Sequence, residues 1–224
     1  MTTLSRLAAV LAALVACTAV AHAAHFGRRF PSEKRVLQDK VTGVEVVAVT
    51  TDPANDSKIY QTHAQWTADG QWIVFRSNRG APTPPPAPAS PSAATTPAGR
   101  GGRGGGSPGA AFAVHEQSGE IVQLTEYGGY SGMLNLARKS MKLYFQRSAN
   151  RESPVQVIEL NLERLFADSA AGKVKDASAY ERVCGALPAG LRESGGFGLD
   201  ANETFAYLGV RDPREPTSHD HGDR

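Results

Sequence analysis

The alternation of apolar and polar residues is clearest over residues 63–75, HAQWTADGQWIVF. Asp69-Gly70 is a favoured pair for a two-residue hairpin turn, because glycine takes positive φ at little cost. After it come Trp72, Ile73, Val74 and Phe75, four apolar residues in succession. A strand with apolar side chains on both faces must be covered on both faces. Two more hairpins share one design. Strands at 36–39 and 44–49 flank a turn over 40–43, and strands at 112–114 and 121–125 flank a turn over 116–119. Each turn closes on a glycine.

The opening unit recurs. Residues 135–145 match 65–75 in hydrophobic pattern, with Leu143, Tyr144 and Phe145 standing for Ile73, Val74 and Phe75. Residues 198–207 are a third copy, with Phe205, Ala206 and Tyr207 in those places. Phe75, Phe145 and Tyr207 lie 70 and 62 residues apart, and removing a 29-residue insert at 81–109 brings the first spacing to 41. That is the length of a four-stranded propeller blade. The second spacing is lengthened by 160–180, where Leu162, Leu165 and Phe166 at helical spacing predict a short helix and a loop.

The pattern predicts an all-β fold: an incomplete β-propeller of about three four-stranded antiparallel blades with one short helical insertion. The competing reading is a two-sheet sandwich, against which the repeat register argues. Residues 31–80 and 110–212 make the partial propeller. Within it, 63–66 is expected to be an innermost, channel-lining strand, and 35–50 the outer half of a blade. The insert follows the second strand of its blade, on the face expected to hold the channel entrance, where it would shield or gate the mouth. This much chain does not close a ring, so a truncated product or fragment with a raw sheet edge is expected.

Composition sharpens this picture at three places. The insert holds 15 Pro or Gly in 29 residues and no aromatic or branched aliphatic residue, so it cannot offset the entropy of ordering. Its RGGRGGG piece resembles an RNA-binding segment, but in an exported chain a solvated loop is the better reading. Residues 1–23 read as a signal peptide, with Arg6, an apolar run over 7–20 and the cleavage site Ala21-His22-Ala23. A lipobox at 14–17, lipidated on Cys17, is the alternative. Both predict an exported chain, periplasmic or secreted, or anchored by lipid. The body then keeps one cysteine, Cys184, expected to be a partly buried structural thiol. The net charge of +2 is too small to argue for nucleic acid or an anionic membrane.

Several stretches resemble one family: FPSEKRVLQDKVTGVEVVAVT, QTHAQWTADGQWIVFRSNRG, AFAVHEQSGEIVQLTE, SGMLNLARKSMKLYF and ERVCGALPAGLRESGGFGLDANETFAYLGV. They look like the start of exported oligogalacturonate lyases, seven-bladed propellers with Tol-type repeats. The resemblance covers residues 30–212 apart from the insert. It implies β-elimination on short pectin fragments. A histidine-type base takes the proton α to a uronate carboxylate, and a divalent metal, usually manganese, neutralises that carboxylate. In that family the metal ligands and the base come from later blades, and no position here matches them. The chain is therefore expected to be inactive alone. The alternative is a non-catalytic exported module that binds protein or carbohydrate.

The local candidates for touching a sugar carboxylate are His63, with Gln61 and Gln65 beside it, and Arg79, which follows a strand on the entrance face. Their bland readings are a hydrogen bond at a strand start for His63 and a solvated loop position for Arg79. Glu33, Lys34 and Arg35 read as a surface charge cluster, and Trp66 and Trp72 as blade-packing residues. His219-Asp220-His221 has metal-ligand spacing but belongs to a polar tail, 213–224, expected to be disordered. Gly195-Gly196-Phe197-Gly198 lacks the strand-to-helix context of a phosphate loop.

Overall fold

A computed structural model describes residues 25–82, 109–150 and 153–214. The signal segment, Cys17, most of the insert and the His219–His221 pattern lie outside the described residues. The fold is mostly β, built of antiparallel sheets with one short helix.

The first sheet runs in the order β1 (Arg29–Phe30), β7 (Ile121–Gln123), β6 (Ala110–His115), β5 (Trp72–Ser77), β4 (Ser57–Lys58). Its interior strand β5, between β6 and β4, is the apolar run noted above, and successive side chains point to opposite faces. Trp72 and Val74 join one buried cluster, with Val122 and Leu124. Phe75 joins the other, with Phe112, Val114 and Ile121, and Ile73 packs against it. The expectation of a strand covered on both faces therefore holds. The β6–β7 turn closes on Gly119, as the pattern predicts.

The second sheet has the order β11 (Glu181–Ala186), β10 (Gln156–Asn161), β9 (Lys142–Arg147), β8 (Ser131–Leu136). Leu143, Phe145, Ile158 and Leu160 face the Trp72 side of the first sheet in one cluster. Between β10 and β11 lies α1 (Leu162–Ala170), where the pattern expects it. Asn161 caps it, its side chain accepting from the Arg164 N–H at 2.9 Å. Leu162, Leu165, Phe166 and Ser169 form the helix's buried stripe. Phe166 lies flat on Trp72, with ring centroids 4.2 Å apart and planes at 16°. The Ser169 hydroxyl donates to the Gly27 carbonyl at 2.7 Å, which ties the start of the described chain to the helix.

Two smaller sheets complete the fold. β2 (Arg35–Gln38) pairs with β3 (Glu45–Ala48), and β12 (Arg192–Leu199) pairs with β13 (Ala206–Arg211). On β13, Gly209 approaches β12 so closely that an added Cβ would sit 2.1 Å from the Gly195 carbonyl oxygen. Phe197 is buried against Tyr144 and Val157, on the face of the second sheet that turns away from the first.

Three expectations need correction. Residues 63–66 are not a continuous strand. β4 pairs with Phe75 and Arg76, Trp66 makes an isolated bridge to Ile73, and residues 59–64 loop out between these contacts. Ile59 causes the excursion: it is 1% exposed, so the chain leaves the ladder to bury it in the core. Residues 35–50 form the expected hairpin as a separate ribbon, and β1 takes the outer edge of the first sheet. Trp66 is 43% exposed, whereas Trp72 is buried. The third copy is shifted by one residue. Trp66 pairs with Ile73, Leu136 with Leu143 and Leu199 with Ala206, so Ala206 rather than Phe205 stands where Ile73 stands. A one-residue slip exchanges faces. Phe205 accordingly falls at the position of Trp72, yet is 62% exposed.

The Trp72–Phe166 stack joins the helix to both sheets. Trp72→Ala should cost about 3–5 kcal/mol, the range for removing a large buried aromatic side chain, read from the urea midpoint. A change within about 0.5 kcal/mol would show that the stack carries no load.

Candidate functional site

The 59–64 excursion, β8 and β12 come together at one place. Asn135, near the end of β8, is buried and donates from Nδ2 to the Phe197 carbonyl of β12 at 2.7 Å. His63 reaches the same strand from the other side, with Nδ1 3.2 Å from the Leu134 carbonyl. A carbonyl only accepts, so Nδ1 carries a proton in this contact, and in the neutral ring Nε2 is then the acceptor. The Tyr60 ring lies 5.3 Å from the imidazole.

A cleft of about 370 Å³ opens here, bordered by Thr62, His63, Asn135, Arg138, Asp200 and Glu203. His63 also borders a neighbouring, more open space of about 530 Å³ lined by Tyr60, Phe197 and Tyr207. Volumes of this order suit a small ligand. The acids of the cleft are already engaged. Asp200 accepts from the Thr204 and Phe205 N–H groups at 2.6 and 2.7 Å. Those bonds, the Phe205 one foremost, hold its carboxyl below the usual range. Glu203 accepts from the Lys139 N–H at 2.5 Å and the Ser140 hydroxyl at 2.7 Å. Burial alone would push Glu203 up, and these hydrogen bonds outweigh it. Arg138 is exposed at the rim, and its side chain makes no hydrogen bond or ion pair among the described residues. These bonds favour the ionised carboxylates, so both acids keep their charge, and Arg138 is the charged side chain of the cleft without a bonded partner among the described residues.

Of the four candidates from sequence, the structure brings only His63 into the cleft. Gln61 is exposed on the excursion and does not border the cleft. Gln65 latches the excursion, donating from Nε2 to the Tyr60 and His63 carbonyls, both at 3.0 Å. Arg79 is neither a ligand nor a solvated loop residue. It is 4% exposed and pairs with Glu33 and, at 2.5 Å, with Asp56. Its guanidinium lies over the Phe75 ring, 5.2 Å from the centroid, and its carbonyl accepts from Tyr127 at 2.6 Å.

Glu33 is likewise not part of a loose surface cluster. It accepts from the Thr51 and Asp52 N–H groups, both at 3.0 Å, as well as from Arg79. Burial alone would raise its carboxyl, but the Asp52 and Thr51 bonds and the Arg79 charge hold it below its ordinary value.

Cys184 is exposed on β11, not partly buried. Desolvation of its thiol pushes it up, which Arg182 opposes and Glu159 reinforces, so the thiolate a nucleophile needs is disfavoured. Nearby Glu159 is satisfied by Tyr144 at 2.8 Å, Arg182 at 2.7 Å and Lys142 at 3.3 Å.

Sequence reasoning missed Asn135 and Arg138. Superposing the three copies was the available signal: Asn135 occupies the position of Gln65, and Arg138 lies in the β8–β9 turn that corresponds to Asp69-Gly70. The copies reveal the repeat, while the convergence of their inner strands emerges only in three dimensions.

No protein-family model and no curated protein matches the chain. The sheets match in part a propeller-fold lyase. The similar solved structures include an oligogalacturonate lyase in complex with manganese, 16% identical, and an oligogalacturonate lyase from Vibrio parahaemolyticus, 13% identical. Each superposes with a TM-score of 0.52 over 79% of this chain and 35% of the other. At this identity the likeness establishes the fold alone, and the chain spans about a third (35%) of the length of those structures. Manganese is bound in one of them, but among the described residues no three of His, Cys, Asp or Glu come together to hold a metal ion. The described residues do not fit that metal. Among the described residues no helix is long and apolar enough to cross a membrane.

Two substitutions test the supports of the site. Arg79→Met leaves Glu33 and Asp56 without their cation and should cost about 3–5 kcal/mol, as breaking a buried pair does. Because the folded state lowers Glu33 below its ordinary 4.5, its contribution is present above that pH and lost as pH falls below it. The deficit of Arg79→Met should therefore shrink in urea titrations below about pH 4.5; a deficit independent of pH would refute the role given to Glu33. Asn135→Ala leaves the Phe197 carbonyl unpaired and should cost about 1–3 kcal/mol. Amide exchange in β12 should rise with it, and unchanged β12 protection would show that the bond does not hold the strand.

Proposed function

We propose that the chain is a segment of an exported propeller of the oligogalacturonate lyase type, and that its cleft receives the carboxylate of an acidic sugar. The first sheet is one blade, the second the next, and β12–β13 the inner half of a third. On this reading β8 and β12 are innermost strands, and the cleft lies where they converge. The observation that carries the reading is Arg138, a guanidinium without a bonded partner among the described residues at the rim of a cleft whose two acids have their oxygens bonded to N–H and hydroxyl groups. A guanidinium matches a carboxylate fork. His63, with Nε2 free to accept, suits a sugar hydroxyl donor at the same rim.

No residue of this chain is given the part of the base. A histidine held as acceptor beside an arginine can orient a uronate, but nothing else in the cleft is arranged to take a proton from carbon. Chain and ligand together make a binding surface, with elimination left to other blades of such a propeller.

Calorimetric titration with digalacturonate tests this. Saturable binding is expected, weakening as salt rises. Arg138→Ala should weaken it about tenfold, the loss of one exposed charge-assisted contact. Digalactose, which lacks the carboxylates, should bind no better than Arg138→Ala binds digalacturonate. Equal binding of both sugars would sink the proposal.

A further inference from the structure

Two rings stand side by side next to the cleft. Ile59 is anchored in the core, which leaves its neighbour Tyr60 on the outside of the excursion, 41% exposed. The backbone there is fixed: the Tyr60 carbonyl accepts from the His63 N–H and from Gln65 Nε2, both at 3.0 Å. This tight turn sets the Tyr60 ring against the His63 imidazole, with centroids 5.3 Å apart and planes at 57°. The Tyr60 hydroxyl has no hydrogen-bond partner among the described residues. A tyrosine held in this way offers a rigid apolar face and a free polar tip at little entropic cost.

Tyr60 borders the space of about 530 Å³ that neighbours the cleft, and the two spaces meet at His63 and Gly198, which border both. The fold does not require a glycine at 198. Its φ is not left-handed, and an added Cβ would meet no heavy atom within 4 Å. Glycine inside a strand weakens it, and often marks a place where a ligand passes close to the backbone. The two spaces differ in charge. Arg138, Asp200 and Glu203 border the cleft, whereas no Asp, Glu, Lys or Arg among the described residues borders the second space; Met133, Phe197 and Leu208 do. A carboxylate there would lose water without gaining a partner. His63, whose Nε2 accepts in the neutral ring, suits a hydroxyl instead.

We propose that this second space is a subsite for an uncharged sugar unit stacked on Tyr60, and that the ligand joins one uronate to one neutral unit across Gly198. The neutral unit is a plain hexose or a uronate masked as its ester. The proposal rests on reading the first cleft as a uronate site and adds the chemistry of the neighbouring unit. One face of a galactose-type ring carries C–H groups, which suit the Tyr60 face, and its hydroxyls suit the His63 acceptor.

The two monomethyl esters of digalacturonate differ only in which carboxylate is masked, and calorimetric titration of the full chain with each tests the proposal. One ester should bind at least as tightly as digalacturonate. The other should bind about tenfold more weakly, the loss of one charge-assisted contact. If both esters are weakened, both carboxylates are read, and the neutral subsite falls while the uronate cleft stands. If neither is weakened, the uronate cleft falls and this proposal with it. Galacturonate, a single unit, should bind about fivefold more weakly than digalacturonate, the worth of one ring contact. Tyr60→Phe, which retains the ring, should keep most of that difference, and Tyr60→Ala should erase it. A Tyr60→Ala chain in which both sugars weaken equally would refute the stacking. Gly198→Val adds a side chain where the fold has room for it, so the circular dichroism should be unchanged, yet the advantage of digalacturonate should vanish. Full digalacturonate binding by Gly198→Val would overturn the second subsite.

Discussion

Trp72 lies flat on Phe166, and around that contact Val74, Leu143, Phe145, Ile158 and Leu160 close the seam between the two large sheets. The seam turns two independent sheets into one body. It places β8 beside the 59–64 excursion, so that His63 reaches the Leu134 carbonyl, and the opposite face of the second sheet then buries Phe197 and so seats β12. The cleft exists because three segments far apart in sequence are held in register by this apolar contact, which carries no directional information of its own. Direction comes from the polar bonds at its margin, above all Asn135 to Phe197.

Charge is used in two separate ways. Arg79 is buried, doubly paired and stacked on aromatic rings, and its work is to hold Glu33 and Asp56 against the first sheet. Arg138 is exposed, and its side chain has no bonded partner among the described residues. The two arginines follow strands of similar character, β5 and β8. What separates them is whether acids from distant segments arrive beside them, and Glu33 and Asp56 lie 46 and 23 residues from Arg79.

Much of the fold was legible along the chain. The strands β2, β3, β5, β6, β7 and β9, the glycine turns at 43, 70 and 119 and the helix at 162–170 all appear where the pattern places them. Less of the site was legible. Of the residues singled out along the chain only His63 borders the cleft, Arg79 is buried in ion pairs away from it, and Asn135 and Arg138, which also border it, were passed over. The slip in the third copy has the same origin: a ten-residue hairpin fits the hydrophobic template in two registers, and only pairing of Leu199 with Ala206 decides between them.

Local chemistry settles strands, turns and the helix because each depends on neighbours a few residues away: turn conformation, alternation of side chains and a cap. It also settles that β5 must be covered on both faces. Which surfaces do the covering, where Ile59 draws the chain out of the ladder, which arginine meets acids and which meets solvent are all settled by contacts between segments tens of residues apart. Such contacts depend on how whole sheets pack, and hydrophobic periodicity, the same in every copy of the repeat, does not distinguish among them.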